Sequence, residues 1–148
     1  MPVINGISKI YRGDFMLVTH HYQFSKRMEM HDITATVKKD VQQSQIQEGI
    51  VVVYTPHTTA GITVNENADP DGVRDMLAGF ERAFPTYHSD YHHFEGNSHA
   101  HMKSTIFNAS QTFIIHQGRI ILGTWQGIYL CEFDGPRKRT FYVKIIAG

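Results

Sequence analysis

Cysteine occurs once, at position 131, inside the strand-like run from Gly127 to Phe133. A single thiol cannot close an internal disulfide, so no covalent framework holds this chain and a reducing compartment is expected. An excess of charge of either sign is also missing. Fourteen basic residues meet fourteen acidic ones, which leaves no general electrostatic footprint for nucleic acid or an anionic membrane. Long hydrophobic runs are absent: nothing approaches the roughly 18 apolar residues of a membrane span. The opening MPVINGISKIYRGD also lacks the charged start and apolar segment of a signal peptide. A cytoplasmic protein with no nucleic-acid or membrane partner is the expectation. Repeats, low-complexity segments and linkers are lacking too, so residues 1–148 read as a single domain large enough to bury a core.

Histidine, by contrast, is plentiful. Of ten in the chain, five lie between His88 and His101, and another, His57, directly follows an apolar run. Imidazole titrates near neutrality and is the commonest metal ligand, so two such segments point to a site. The run Ile50-Val51-Val52-Val53 is continuous and β-branched, as expected of a strand buried on both faces. Pro56 then stops the ladder because it has no N–H, leaving His57 at the mouth of a sheet. The competing reading of His57-Thr58-Thr59 is a polar turn whose imidazole bonds the backbone.

Elsewhere, Phe15 to Ser25 alternates as a half-covered strand, which sends His20 and His21 to opposite faces. A surface helix opens near Asp32, with Thr34 as N-cap and Val37 and Val41 one turn apart. Gly61 to Asn65 is a second short strand ending at Glu66. Asp69-Pro70 starts a helix whose Val73, Met76, Leu77, Phe80 and Phe84 share a face. Pro85 to Asn97 is a long loop carrying His88, His92, His93 and Glu95. From Ser98 the chain reads as extended, so that His99 and His101 project from one face. Gln117-Gly118 joins two strands as a hairpin, and Gly127 to Phe133 and Thr140 to Ile146 are the last two, joined by Asp134-Gly135-Pro136. The lone Trp125 reads first as a core residue. The whole is an α+β domain, with mixed or antiparallel sheets in a sandwich-like core and two or three helices, whose sheet surface exceeds the available helix cover.

Six segments occur together in order: His57-Thr58-Thr59-Ala60, Asn65-Glu66-Asn67, Glu95-Gly96-Asn97, Ala100-His101-Met102-Lys103-Ser104, Gly123-Thr124-Trp125-Gln126-Gly127-Ile128 and Asp134-Gly135-Pro136-Arg137. In this the chain resembles the YjbQ-like family from about Phe15 to its C-terminus. The resemblance implies a compact sandwich-like fold, a homotrimer, a polar site near the subunit contact, a bound metal in some members, and secondary thiamine-phosphate synthase activity. That reaction joins a pyrimidine-methyl diphosphate to a thiazole phosphate and releases diphosphate. Asn108 stands where the family usually has glycine, and asparagine tolerates positive φ.

Three histidines with an open position are the catalytic pattern for zinc, so His57, His99 and His101 are the candidate ligands of a divalent ion, zinc or magnesium. Glu66 and His57 are the candidate catalytic groups, Glu66 as base or as the partner that orients an imidazole. Thr58, Thr59, Lys103, Ser104 and Arg137 are candidate donors to a small phosphorylated molecule. Two alternatives accompany this: a metal-dependent hydrolase of a small phosphorylated or acyl substrate, and a trimeric protein that binds a metal or ligand without turnover.

Overall fold

The computed structural model describes residues 3, 4 and 7–148. β1 (Val3–Ile4) and β2 (Ile7–Tyr11) precede β3 (Phe15–Gln23), where buried Met16, Val18 and His20 alternate with half-buried Phe15, Leu17 and Thr19. β4 (Glu29–Asp32) leads into α1 (Thr34–Ser44), which buries Val37 and Val41 as the pattern predicts. Thr34 is not its N-cap. It is the first helical residue, and the Asp32 carboxylate caps it by accepting from the Thr34 N–H at 2.9 Å and hydroxyl at 2.5 Å.

β5 (Gly49–Tyr54) and β6 (Ala60–Glu66) follow, then α2 (Pro70–Ala83), where the expected cap is present: Asp69 accepts from the Asp71 N–H at 2.9 Å and Pro70 holds the first turn. The stretch read as extended from Ser98 is instead helix α3 (Ser98–Phe107). β7 (Ser110–His116) and β8 (Arg119–Ile120) form the expected hairpin, with Gln117 and Gly118 both at positive φ, 51° and 77°. β9 (Gln126–Glu132) and β10 (Lys138–Ala147) complete the chain.

The strands form two sheets, antiparallel throughout, ordered β1-β2-β3-β10-β5-β7-β8 and β4-β9-β6. The larger core lies between them and under α1, and joins Val51, Val53, Phe141, Val143 and Ile145 to Ile62, Ile128 and Leu130. A smaller core covers the other face of the three-stranded sheet, where Tyr129, Cys131 and Phe133 meet Ala100 of α3 and the half-buried Val73, Met76, Leu77 and Phe80 of α2. The layers therefore run sheet, sheet, then α2 and α3, with α1 packed on the core between the sheets. β9 is covered on both sides and its residues from Gly127 on are buried. Cys131 is one of them, and burial pushes its thiol pKa up.

Among the described residues no helix lies on the outer face of the seven-stranded sheet. For that reason β5 is not buried on both faces: Val51 and Val53 are, while Ile50 and Tyr54 are exposed. Trp125 is likewise a surface residue, 64% exposed, in the loop before β9. No helix among the described residues is long and apolar enough to cross a membrane.

Candidate functional site

The segment after β5 is held to the main chain at both ends. The Thr55 N–H donates to the Ala109 carbonyl at 2.9 Å, and its hydroxyl donates to the Thr140 carbonyl at 2.8 Å. The Thr140 N–H in turn donates to His57 Nε2 at 2.9 Å. That bond decides the tautomer: Nε2 accepts, so the neutral ring carries its proton on Nδ1. Burial, and then the charge of Arg139, lower the His57 pKa against the opposing pull of Glu132, so the ring is neutral at physiological pH. The turn reading of His57 is thus half of the answer, since one ring nitrogen serves the backbone and the ring lines a cleft.

Arg139 anchors the far end of the same segment. Buried in β10, it pairs with the fully buried Glu132 of β9 through Nε at 2.8 Å and through a second, shorter contact. It also donates to the Thr59 hydroxyl at 2.7 Å and carbonyl at 3.2 Å. Removing either partner would strand a buried charge, at a cost of about 3–5 kcal/mol. Thr59, a predicted phosphate donor, is therefore a buried part of this brace.

α3 forms the opposite wall of the cleft. It comes close to β6 because Gly61 has no side chain: a Cβ there would stand 2.8 Å from Cβ of Phe107. The Ser104 hydroxyl closes the contact by donating to the Ala60 carbonyl at 2.6 Å. The result is an open cleft of about 420 Å³ lined by His57, Thr58, His101, Ser104, Thr105 and Asn108. Of the loop histidines, His93 stacks on His101, with ring centroids 4.8 Å apart.

The helical backbone separates the other predicted residues. Two positions on a strand share a face, but on a helix they diverge by about 200°. His99 is therefore turned away from His101 and is fully buried, its Nδ1 2.7 Å from Nζ of Lys103 one turn on. Lys103, also fully buried, donates to Glu81 of α2 at 3.0 Å. Burial, Lys103 and Arg27 lower the His99 pKa to about 4. Burial also lowers that of Lys103, opposed by Glu81. For Glu81 burial acts upward, yet the Thr86 N–H and Lys103 bring it down to about 2.

Glu66 stands at the far end of β6, about 20 Å of extended strand beyond Ala60, exposed and beside the start of α2. It does not face His57. Arg137 closes its own turn, donating to the Asp134 carbonyl at 2.7 Å and carboxylate at 3.0 Å. Among the described residues no three His, Cys, Asp or Glu side chains converge to hold an ion. With His57 Nε2 accepting from Thr140 and His99 across the helix, the set His57, His99 and His101 does not fit a divalent ion within one chain.

Glu132 and Arg139 are the residues that the sequence reading misses, and His93 is one of three loop histidines, with His88 and His92, among which it leaves the choice open. For Arg139 a signal exists, because positions 139, 141, 143 and 145 share the buried parity of β10. For His93 there is none, since a loop has no periodicity to choose among three histidines.

The family profile described as UPF0047 protein YjbQ-like matches residues 19–148. UPF0047 protein YugU of Bacillus subtilis is 54% identical over 131 residues, covering 88% of this chain and 99% of the relative. UPF0047 protein MJ1081 of Methanocaldococcus jannaschii is 49% identical, covering 88% and 94%. A YjbQ/UPF0047-family crystal structure from Clostridium acetobutylicum superposes with a TM-score of 0.84 at 52% identity, covering 86% of this chain and 98% of that one. A protein of unknown function from Sulfolobus solfataricus gives 0.87 at 31% identity, covering 90% and 98%. By sequence and by fold, this chain belongs to the YjbQ-like UPF0047 family.

Proposed function

We propose that the cleft between His57 and α3 binds a small phosphorylated molecule and that its two imidazoles serve the chemistry. One observation carries the reading: His57, with its Nε2 tied to Thr140, shares an open cleft with His101 and with the hydroxyl-bearing Thr58, Ser104 and Thr105. Neutral N–H and O–H donors of this kind hold phosphoryl oxygens. Imidazole can also give or take a proton at neutral pH.

The reaction implied by the family resemblance is one use of such a cleft. There the methylene C–O bond of a pyrimidine-methyl diphosphate breaks, diphosphate leaves with the electron pair, and the thiazole nitrogen donates its lone pair to form the new C–N bond. The donors of the cleft would stabilise charge on the departing oxygens. The cations needed to match a full diphosphate are scarce in one chain, because Lys103, Arg137 and Arg139 are all paired elsewhere. A phosphate monoester suits this cleft better than a diphosphate does.

Calorimetric titration of the whole chain with inorganic phosphate and with diphosphate, beside His57→Ala and His101→Ala, tests the reading. Phosphate is expected to bind at millimolar concentration or tighter, and each substitution to weaken it about tenfold, the loss of one charge-assisted hydrogen bond. EDTA is expected to leave that binding unchanged, since it needs no ion. Equal binding by wild type and both variants would remove the cleft as the site. Incubation with the pyrimidine and thiazole phosphates, read as product by mass, tests the transfer itself.

A further inference from the structure

The last two turns of α1 and the β7–β8 hairpin form the walls of a second cleft, of about 470 Å³, in the size range of small-molecule sites. The walls are tied to each other. The Gly118 N–H donates to the Gln47 carbonyl at 2.9 Å, and the missing side chain of Gly118 lets Gln47 lie against the hairpin, where a Cβ would stand 3.1 Å from its Nε2 and Oε1. The buried Val41 and Ile46 and the half-buried Ile120 supply apolar surface between them.

Every polar group in the lining is neutral or positive. Gln42, Gln45, Gln47 and Gln117 contribute amides, while Lys38 stands on the helix wall and Arg119 on the hairpin wall. Both cations are exposed, and among the described residues neither is in an ion pair. The acids nearest to the cleft in sequence are engaged elsewhere. Asp40 is buried 2.6 Å from His20 Nε2, and Glu48 accepts from the Gln117 N–H at 3.2 Å with His116 Nδ1 2.9 Å away. The carbonyls at the negative end of α1 are occupied as well: those of Val41, Gln42 and Gln45 accept from the Ser44 hydroxyl at 2.6 Å, the Gln45 N–H at 3.3 Å and Gln47 Nε2 at 3.4 Å.

A ligand for this cleft is therefore anionic, and the placement of the cations sets its shape. A single phosphoryl group gathers its charge at one point, whereas here each wall carries one cation and apolar surface lies between. A guanidinium fork matches the two oxygens of a carboxylate, an ammonium takes a second carboxylate as a point charge, and methylenes suit the surface between them.

We infer that this cleft binds a small aliphatic dicarboxylate, with one carboxylate on Arg119, the other on Lys38, and the glutamine amides completing the hydrogen bonds. The site is separate from the His57 cleft. β5 begins at Gly49, just after Gln47, and ends at Tyr54, just before the His57 segment, so the two clefts stand at opposite ends of that strand. The inference does not rest on the phosphoryl reading.

Calorimetric titration of the whole chain with glutarate, pentanoate and inorganic phosphate tests it, in wild type, Lys38→Gln, Arg119→Gln and Lys138→Gln. Glutarate is expected to bind at millimolar concentration or tighter, and pentanoate, the same chain with one carboxylate, about tenfold more weakly. Lys38→Gln and Arg119→Gln are each expected to weaken glutarate about tenfold, to the level of pentanoate. Lys138→Gln removes the same charge outside the cleft and is expected to change nothing. All three side chains are exposed, so none of these changes opens the core. Phosphate affinity is expected to be the same in all four proteins. No glutarate binding, equal affinity for glutarate and pentanoate, or an equal loss in Lys138→Gln overturns the inference, as does phosphate binding that falls together with that of glutarate.

Discussion

At the scale of single residues, Asn108 shows how a backbone demand can be read from a substitution. It ends α3 at φ 71° and ψ 161°, a region in which a Cβ is strained by about 1–3 kcal/mol. Its N–H donates to the Ser104 carbonyl and its own carbonyl accepts from the Ile62 N–H, so this backbone is fixed on both sides of the helix-to-sheet contact. Asn108→Gly should relieve the strain and give back part of the gain to the more flexible unfolded chain, for a net stabilisation of about 0.5–1 kcal/mol. That is a rise of about 2–4 °C in a thermal melt, and a fall would show that the asparagine makes contacts the backbone argument omits. The sequence signalled this position because asparagine is the residue that best replaces glycine at positive φ. It signalled His57 equally well, since Pro56 must end the ladder. It could not signal His57's tautomer, because the Thr140 N–H that sets it lies 83 residues away.

At the scale of elements, α3 is the one that pattern reading mistakes, and its own composition explains why. Its buried positions 99, 100 and 103 are helically spaced but hold His, Ala and Lys, so the stripe that normally betrays a helix is polar. Asn97 makes no side-chain cap and the first turn has no acid, so the usual start signals are missing too. α2, with Asp69, Pro70 and an apolar stripe, was legible throughout. The polar stripe predicts a two-step acid response where α3 meets α2. His99 has its folded pKa depressed from 6.5 to about 4, so the folded state binds the proton less readily than the unfolded chain. Its contribution is complete above pH 6.5 and is lost as pH falls towards 4. Glu81, depressed from 4.5 to about 2, contributes fully above 4.5 and loses its contribution as pH falls to 2. Glu81→Gln should cost about 1–2 kcal/mol at pH 7, discounted because that carboxylate is 41% exposed. Its difference from wild type should shrink only below pH 4.5, whereas His99→Gln should remove the slope between 6.5 and 4. Urea melts at pH 7, 5, 3 and 2 check both, and a Glu81→Gln deficit that survives undiminished at pH 2 would place the effect in packing instead of charge.

At the scale of the molecule, the bare face of the seven-stranded sheet is the feature that one chain leaves unsolved. Register places Ile50 between Ile146 and Ile114 and Tyr54 beside Tyr142, an isoleucine row across β10, β5 and β7 and a tyrosine pair, with Lys144, Val52 and Thr112 in the row between them. Ile114 is 59% exposed, Tyr54 42%, Ile50 39% and Ile146 37%, apolar side chains left facing water on one sheet face. Excess sheet over helix cover was visible in the count of elements, but which face lay bare was not, because β5 reads as buried on both sides. The family resemblance implies a threefold assembly, and in a closed ring of three each copy would set this face against a different face of the next. This face borders the cleft as well, since Tyr54 runs into the His57 segment and Asn108 and Ala109 lead into β7. A neighbour seated there would bring its own side chains to the rim, where a single chain is short of cations. Sedimentation equilibrium at micromolar concentration is expected to give three times the 16.9 kDa chain mass. Ile114→Lys, which puts a charge in the isoleucine row, is expected to give the single-chain mass with the far-ultraviolet spectrum unchanged, and to weaken phosphate at the His57 cleft if the neighbour supplies charge there. A wild-type mass of one chain would leave the sheet face open to water and the cleft complete as it stands.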